Sequence, residues 1–256
     1  MSADAEFAIH TTALTRTFGD IYAVNNINIR VNRGTMYGFL GRNGAGKSTT
    51  IKLLTGILQP SSGEINLLGS KYSVEQRLAT SVRRKIGVIP ENLALFETLT
   101  AKEYLTFVAR VYEIPATSVN PRIDEVLTVL ELNAQEKQLV LEYSHGMRKK
   151  LALAAALLPN PDLLFLDEPF EGVDAVGARV MRDILAQFVN RGSTVFLTSH
   201  VLDVVEGLCS HVGIVNDGKL IFEDAMDSLG GKSLEDVFLE KVGSADGMRA
   251  DLSWLV

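Results

Sequence analysis

The sequence predicts an α/β fold built on a parallel core sheet, and three observations carry that prediction. Met36-Tyr37-Gly38-Phe39-Leu40 reads as a short buried strand that runs into a glycine-rich stretch and then into a helix over 49–58. Leu163-Leu164-Phe165-Leu166 is a continuous apolar run ending in Asp167-Glu168. Such a run is the pattern of a strand buried on both faces that delivers polar groups at its carboxyl end. A helical stretch over 91–141 separates two strand-rich parts of the chain, so the helices form an insert.

The element around which the rest is arranged is Gly41-Arg42-Asn43-Gly44-Ala45-Gly46-Lys47-Ser48-Thr49, which fits G-x-x-x-x-G-K-[ST]. A strand before it and a helix after it, with Ile51, Leu54 and Leu58 on one side, are the context this phosphate-binding loop requires. Glycines let the backbone curl so that successive N–H groups point at phosphate oxygens. The helix N-terminus adds the positive end of its dipole. Lys47 is expected to reach the β- and γ-phosphates, and the Ser48 hydroxyl to ligate Mg²⁺.

Residues 7–34 read as strand-rich, and Asn26-Ile27-Asn28-Ile29-Arg30-Val31 alternates polar and apolar as a half-buried strand does. Phe18 precedes it. An aromatic there can stack on an adenine ring or simply sit at a strand edge, and both readings stand. Gln59-Pro60-Ser61-Ser62-Gly63-Glu64 is a turn leading into a strand over 64–68. The triplet Arg83-Arg84-Lys85 reads as a solvated face, followed by the buried strand Ile86-Gly87-Val88-Ile89, which Pro90 stops.

Within the insert, Thr100-Ala101-Lys102-Glu103 is a capping box that opens a helix, with Tyr104, Val108, Val111 and Tyr112 at helical spacing. A second helix is expected over 123–131, with Ile123, Val126, Leu127 and Leu130 on one face. A third carries Leu151, Ala154, Ala155 and Leu158. It starts at Tyr143-Ser144-His145-Gly146-Met147. Ser144 is there either an ordinary helix cap or part of a second anion site, and taken alone the cap is the simpler reading.

The acids after the apolar run form a Walker B pattern. Asp167 is expected to hold Mg²⁺ and Glu168 to act as general base toward water. As neighbours in a strand they are expected to point to opposite faces. Val195-Phe196-Leu197-Thr198-Ser199-His200 is a further buried strand that brings His200 to the same edge, beside the γ-phosphate end. A last strand pair is expected over 212–215 and 219–222. After Gly230-Gly231 a short helix carries Leu234, Val237, Phe238 and Val242. A small polar tail leads to Leu252 and Trp254.

Bulk properties agree with this picture. The 256 residues are 46% hydrophobic and 22% charged, enough to fill a sizeable core. A net charge of −6 argues against nucleic acid as the partner. Cys209 is the one cysteine, so no internal disulfide is possible and a packing role is expected. Met1 to His10 carries Asp4 and Glu6 without an apolar run, so no signal peptide is expected there. No stretch approaches the about 20 apolar residues of a membrane span. A soluble chain held at a membrane by something else is the expectation.

The order of these pieces resembles the ATP-binding subunit of ABC transporters over nearly the whole chain, from Phe7 to about Val242. The resemblance implies a P-loop NTPase (RecA-like) core sheet with an N-terminal antiparallel β part, an inserted α-helical subdomain and a short C-terminal helical extension. It places the ATPase domain at 1–242, with core segments at about 7–90 and 159–222 and the helical subdomain at about 91–158. The extension is 223–256. Phe18 matches the adenine-stacking aromatic and Gly41 to Thr49 match Walker A. Glu91 falls at the Gln-loop position, as a ligand of nucleotide-bound Mg²⁺. Ser144 and Gly146 match the signature, Asp167 and Glu168 the Walker B acids, Asp174 the D-loop and His200 the switch histidine.

The cofactors implied are ATP and Mg²⁺. The partners implied are a second ATP-binding subunit, a homodimer in preference to a heterodimer, and an integral membrane permease. The two ATPase copies dock head to tail, Ser144 and Gly146 of one capping the γ-phosphate held by Lys47 of the other. The place implied is the cytoplasmic face of the membrane.

Three residues depart from the family pattern: Glu91 for Gln, His145 for the first signature Gly and Met147 for the signature Gln. The first adds a carboxylate near phosphate, and the second puts a side chain where backbone approaches it. Ser233-Leu234-Glu235-Asp236-Val237-Phe238-Leu239 resembles a segment of ABC-2 type subunits, mostly exporters. Leu95 and Phe96 are the expected permease contact. A transport-independent ABC-type ATPase, regulatory or nucleic-acid-associated, is the alternative. Such relatives usually carry a long coiled coil or two ATPase halves, which 256 residues with one P-loop do not supply. A P-loop GTPase or kinase reading finds no Asn-Lys-x-Asp guanine-reading tetrad and leaves the signature stretch unexplained.

Overall fold

The strand that feeds the glycine-rich loop lies in the middle of a six-stranded sheet. This computed structural model describes residues 6–135 and 137–243. In chain order the strands and α-helices are β1 (Phe7–Phe18), β2 (Ile21–Ile27), β3 (Arg30–Asn32), β4 (Met36–Leu40), α1 (Lys47–Leu54), β5 (Ser62–Leu67), β6 (Ser70–Ser73) and α2 (Thr80–Arg83). Then follow β7 (Ile86–Ile89), α3 (Ala101–Val111), α4 (Ala116–Val129), α5 (His145–Leu157), β8 (Leu163–Asp167) and α6 (Ala175–Asn190). The last are β9 (Thr194–Ser199), α7 (Leu202–Glu206), β10 (His211–Asn216), β11 (Lys219–Ala225) and α8 (Leu234–Val242).

The core sheet has the order β11-β10-β4-β9-β8-β7. All its neighbours are parallel except the β10–β11 hairpin. The register sets Leu40 beside Ser199, Asp167 beside Thr198 and Ile89 beside Leu166. Four strands therefore end on one edge, and the residues that follow them meet there. A second, antiparallel sheet has the order β2-β1-β5-β6, with β3 also paired to β1.

Side-chain alternation along the core strands fills both faces. Met36, Leu40, Leu164, Leu166, Val195 and Leu197 join the core that also holds α3 to α6. Tyr37, Phe39, Leu163, Phe165 and Phe196 join the core shared with α1 and the antiparallel sheet. Phe196 is fully buried there, its ring centroid 5.3 Å from Tyr37, 5.4 Å from Phe39 and 5.8 Å from Phe165. Cys209 is buried with the first of these cores, and burial pushes its thiol pKa up.

Several local expectations need correction. The strand expected over 26–31 is interrupted, because Asn26 takes a left-handed φ of 55° and β2 ends at Ile27. Its burial alternation nevertheless holds at Ile27, Ile29 and Val31. The helical stretch expected from Glu91 begins only at Ala101, where the Thr100–Glu103 capping box forms. On that helix Ala101, Leu105 and Ala109 are the buried stripe, Tyr104 and Val108 pack at its margin, and Val111 is exposed. The second helix starts earlier than expected, at Ala116, and accommodates Pro121. The 83–85 triplet is an exposed face as expected, with Arg84 in a two-pronged contact with Glu113 at 2.8 Å and Lys85 3.5 Å from Asp162. In α8, Leu234 and Val237 are buried and Phe238 and Val242 pack beside them. Leu252 and Trp254 lie outside the described residues.

Candidate active site

Gly46 is the pivot of the loop. It caps α1 with φ 105°, and a Cβ added there would collide with the Ala23 carbonyl. Only glycine combines that backbone angle with so close an approach. No side chain caps α1, which leaves the first-turn N–H groups without a side-chain partner. The Lys47 side chain folds back over the loop and donates to the Gly41 carbonyl at 2.8 Å. It is nearly buried, and its Nζ stands 3.7 Å from Glu168 Oε1.

Asp167 ends β8 and is 2% exposed. Its Oδ1 accepts from Thr198 Oγ1 at 2.5 Å, a bond set up by the Asp167–Thr198 register. Burial pushes the Asp167 carboxyl above its ordinary range, hydrogen bonds from Thr198 and Ser48 pull it down, and Glu91 and Glu168 add to the rise. Ser48 also donates to Glu91 Oε2 at 3.2 Å, so one hydroxyl stands between two carboxylates.

Glu168 has left the strand. Its φ of 47° is left-handed, so the expectation of simple strand alternation with Asp167 is corrected: a turn, not the pleat, aims this side chain. Its Oε2 lies 3.0 Å from His200 Nδ1 and accepts from the His200 backbone N–H at 3.4 Å. The Glu168 backbone N–H donates to Thr198 Oγ1 at 3.2 Å, and its carbonyl accepts from Lys149 Nζ at 2.9 Å.

These groups line a cleft of ≈ 340 Å³. Its walls include Asn43, Gly44, Gly46, Lys47, Ser48 and Thr49 on one side and Glu91, Glu168, Glu171 and His200 on the other. Gly41 and Ala45 are buried beneath the loop and Arg42 is exposed outside the cleft. Phe18 lies outside it as well, half exposed, with the Arg16 guanidinium 4.6 Å from its ring centroid. Ser144, Gly146 and Asp174 do not line it either. Ser144 caps α5 by accepting from Met147 N–H at 3.2 Å, and Asp174 caps α6 by accepting from Gly177 N–H at 2.8 Å. Gly146 packs on the loop before α6, where an added Cβ would stand 3.0 Å from the Gly172 carbonyl.

The donor set fits a small hard cation. Among the described residues no group of three or more His, Cys, Asp or Glu can hold a metal by itself. Mg²⁺ is ordinarily held by one or two protein oxygens plus phosphate and water, and Ser48 between Glu91 and Asp167 offers that arrangement.

Thr198, Lys149 and Glu171 belong to this site and are not legible in the sequence. Thr198 is hidden inside an apolar strand, and only its register opposite Asp167 reveals it. Lys149 sits in the run Arg148-Lys149-Lys150, which resembles a solvated helix face, yet it is 1% exposed.

The architecture agrees with comparisons to known proteins. The family model described as ABC transporter matches residues 24–171. The chain is 41% identical over 222 residues to the bacitracin transport ATP-binding protein of Bacillus licheniformis, covering 86% of this chain and 71% of that protein. It is 35% identical over 243 residues to a daunorubicin resistance ATP-binding protein of Streptomyces coeruleorubidus, covering 93% and 76%. It is 33% identical over 229 residues to the lantibiotic transport ATP-binding protein of Streptococcus pyogenes, covering 90% and 95%. A solved ATP-binding subunit of an ABC transporter superposes with a TM-score of 0.83 at 28% identity, covering 91% of this chain and 98% of that one. A dimeric ATP-binding cassette bound to ADP and Pi shares the fold, with a TM-score of 0.77 at 24% identity over 85% and 98% of the two chains. The chain belongs to the ABC transporter family, as one of its ATP-binding, ATP-hydrolysing subunits.

Proposed function

We propose that this subunit drives export through a separate membrane permease, with ATP and Mg²⁺ sealed between two copies of the chain. One observation carries the reading: Lys47, Glu168 and His200 converge beside Ser48 at a single sheet edge. Lys47 and the loop N–H groups bind the triphosphate. Glu168 takes the proton of the attacking water, and His200 orients Glu168 and donates toward the transferring phosphoryl group. Ser48, Glu91 and Asp167 hold Mg²⁺, which when bound neutralises charge on the β- and γ-phosphate oxygens. Phe18 offers adenine the ring face opposite Arg16.

Ser144, Gly146 and Asp174 stand outside their own copy's cleft, and in this reading they face the nucleotide of the second copy. Both half-sites are present in one chain, which favours a homodimer. His145 lies exposed at the α5 start with its ring against Gly172. The transport and resistance names of the relatives support export. Among the described residues no helix is long and apolar enough to cross a membrane, so the permease supplies the span and seats the subunit at the cytoplasmic face. The domain division proposed remains 1–242, with core segments at about 7–90 and 159–222 and the insert at about 91–158; the extension 223–256 overlaps its end.

Dimer formation tests the reading. A Glu168→Gln chain saturated with Mg-ATP should run as a dimer in size exclusion with light scattering, and as a monomer without nucleotide. A strict monomer, even with the permease supplied, would overturn it.

A further inference from the structure

Lys149 is a charged side chain fully buried inside α5, and the catalytic roles assigned above do not use it. A buried ammonium is costly unless its donors meet acceptors. Its Nζ donates to the Glu168 carbonyl at 2.9 Å; burial pulls the Lys149 pKa below its ordinary value, and Glu171, Asp167, Glu168 and Glu91 push back upward. The carbonyl it holds belongs to a non-glycine residue with φ 47°. Such a conformation persists only where surrounding groups hold it. Here the Glu168 backbone is held on both sides of its Cα, the N–H by Thr198 Oγ1 and the carbonyl by Lys149. The turn so fixed aims the carboxylate at Lys47 and His200.

We propose that Lys149 is a positioning residue for hydrolysis: by gripping the Glu168 carbonyl it keeps the carboxylate between Lys47 and His200. The helix that carries it begins at the Ser144 cap. A rigid shift of α5 therefore moves the grip on Glu168 together with the helix tip, and hydrolysis becomes sensitive to where that helix sits. The inference rests on Glu168 as the general base.

The test uses the full chain and reads steady-state Mg-ATP turnover, binding of a non-hydrolysable ATP analogue and thermal melting. Lys149→Met, which keeps the length and removes the donor, should lower kcat about tenfold while KM and analogue affinity stay within about twofold. Lys149→Gln restores an N–H donor without the charge and should recover part of the loss. Wild-type kcat in Lys149→Met overturns the proposal. So does a parallel loss of analogue binding and turnover in both variants, the mark of a merely structural role. If Lys149→Met does not fold, Lys149→Gln decides by the same kcat-against-KM split. Glu168→Gln is the reference: if it retains turnover, the base assignment fails. If it is inactive while both Lys149 variants turn over normally, only the Lys149 inference fails.

Discussion

His200 Nδ1 stands 3.0 Å from Glu168 Oε2, while the other oxygen of the same carboxylate lies 3.7 Å from Lys47 Nζ. One carboxylate thus joins a side chain after β9 to the lysine of the loop after β4. Glu168→Gln should lower kcat by about 10²–10⁴-fold, the range for loss of a general base. Nucleotide affinity should be retained, as measured by turnover beside analogue binding.

Lys47 is anchored by the Gly41 carbonyl and aimed into the cleft. Lys47→Met removes the one lysine among the cleft-lining side chains. Its effect should fall on binding: calorimetry with Mg-ATP should show affinity reduced by about tenfold or more, given charge-assisted bonds of about 1.5–3 kcal/mol. Melting without nucleotide should be little changed.

Asp167 gives a prediction of opposite sign for activity and stability. Its folded pKa is raised, chiefly by burial. A raised pKa means its contribution to stability is present below the ordinary carboxylate range and is lost as pH rises through the higher folded value. At neutral pH in EDTA, Asp167→Asn should therefore raise the melting temperature, since it removes the buried charge while the amide oxygen still accepts from Thr198. Turnover with Mg²⁺ should fall by about a hundredfold. A melting temperature in EDTA at or below wild type would refute this account of the buried charge.

Phe196 links the P-loop strand to the strand that carries Asp167, through Tyr37, Phe39 and Phe165. Phe196→Ala should cost about 3–5 kcal/mol in denaturant unfolding. A loss below about 1 kcal/mol would mean that the cluster repacks.

Leu95 packs against the main core, whereas Phe96 is half exposed, edge-on to Phe107 at 5.1 Å. The permease contact proposed therefore centres on Phe96 and Phe107 rather than on Leu95. Phe96→Ser should abolish co-purification with the permease while melting and basal turnover stay unchanged. Co-purification at wild-type yield would remove this surface from the contact.

Elements with a strong local signal were legible: the β4–loop–α1 unit, the apolar run into Asp167, the Thr100 capping box and the α5 start. Each is specified by residues close together in sequence. The 91–99 segment carries helical-looking apolar residues yet is a loop, from which Leu93 and Leu95 serve the core. The direction of Glu168 is not legible locally, because its left-handed turn is held by Thr198 and Lys149, residues distant in the chain.

By itself the sequence determined the phosphate-binding loop, the paired acids, the histidine and their order, since those motifs depend on residue type and short spacing. Tertiary structure decided which of them share one cleft, that Thr198 joins the Asp167 carboxylate to the Glu168 backbone and that a buried Lys149 grips the turn at Glu168. The reason is physical: strand register and helix packing place groups in contact across distances that no local pattern records.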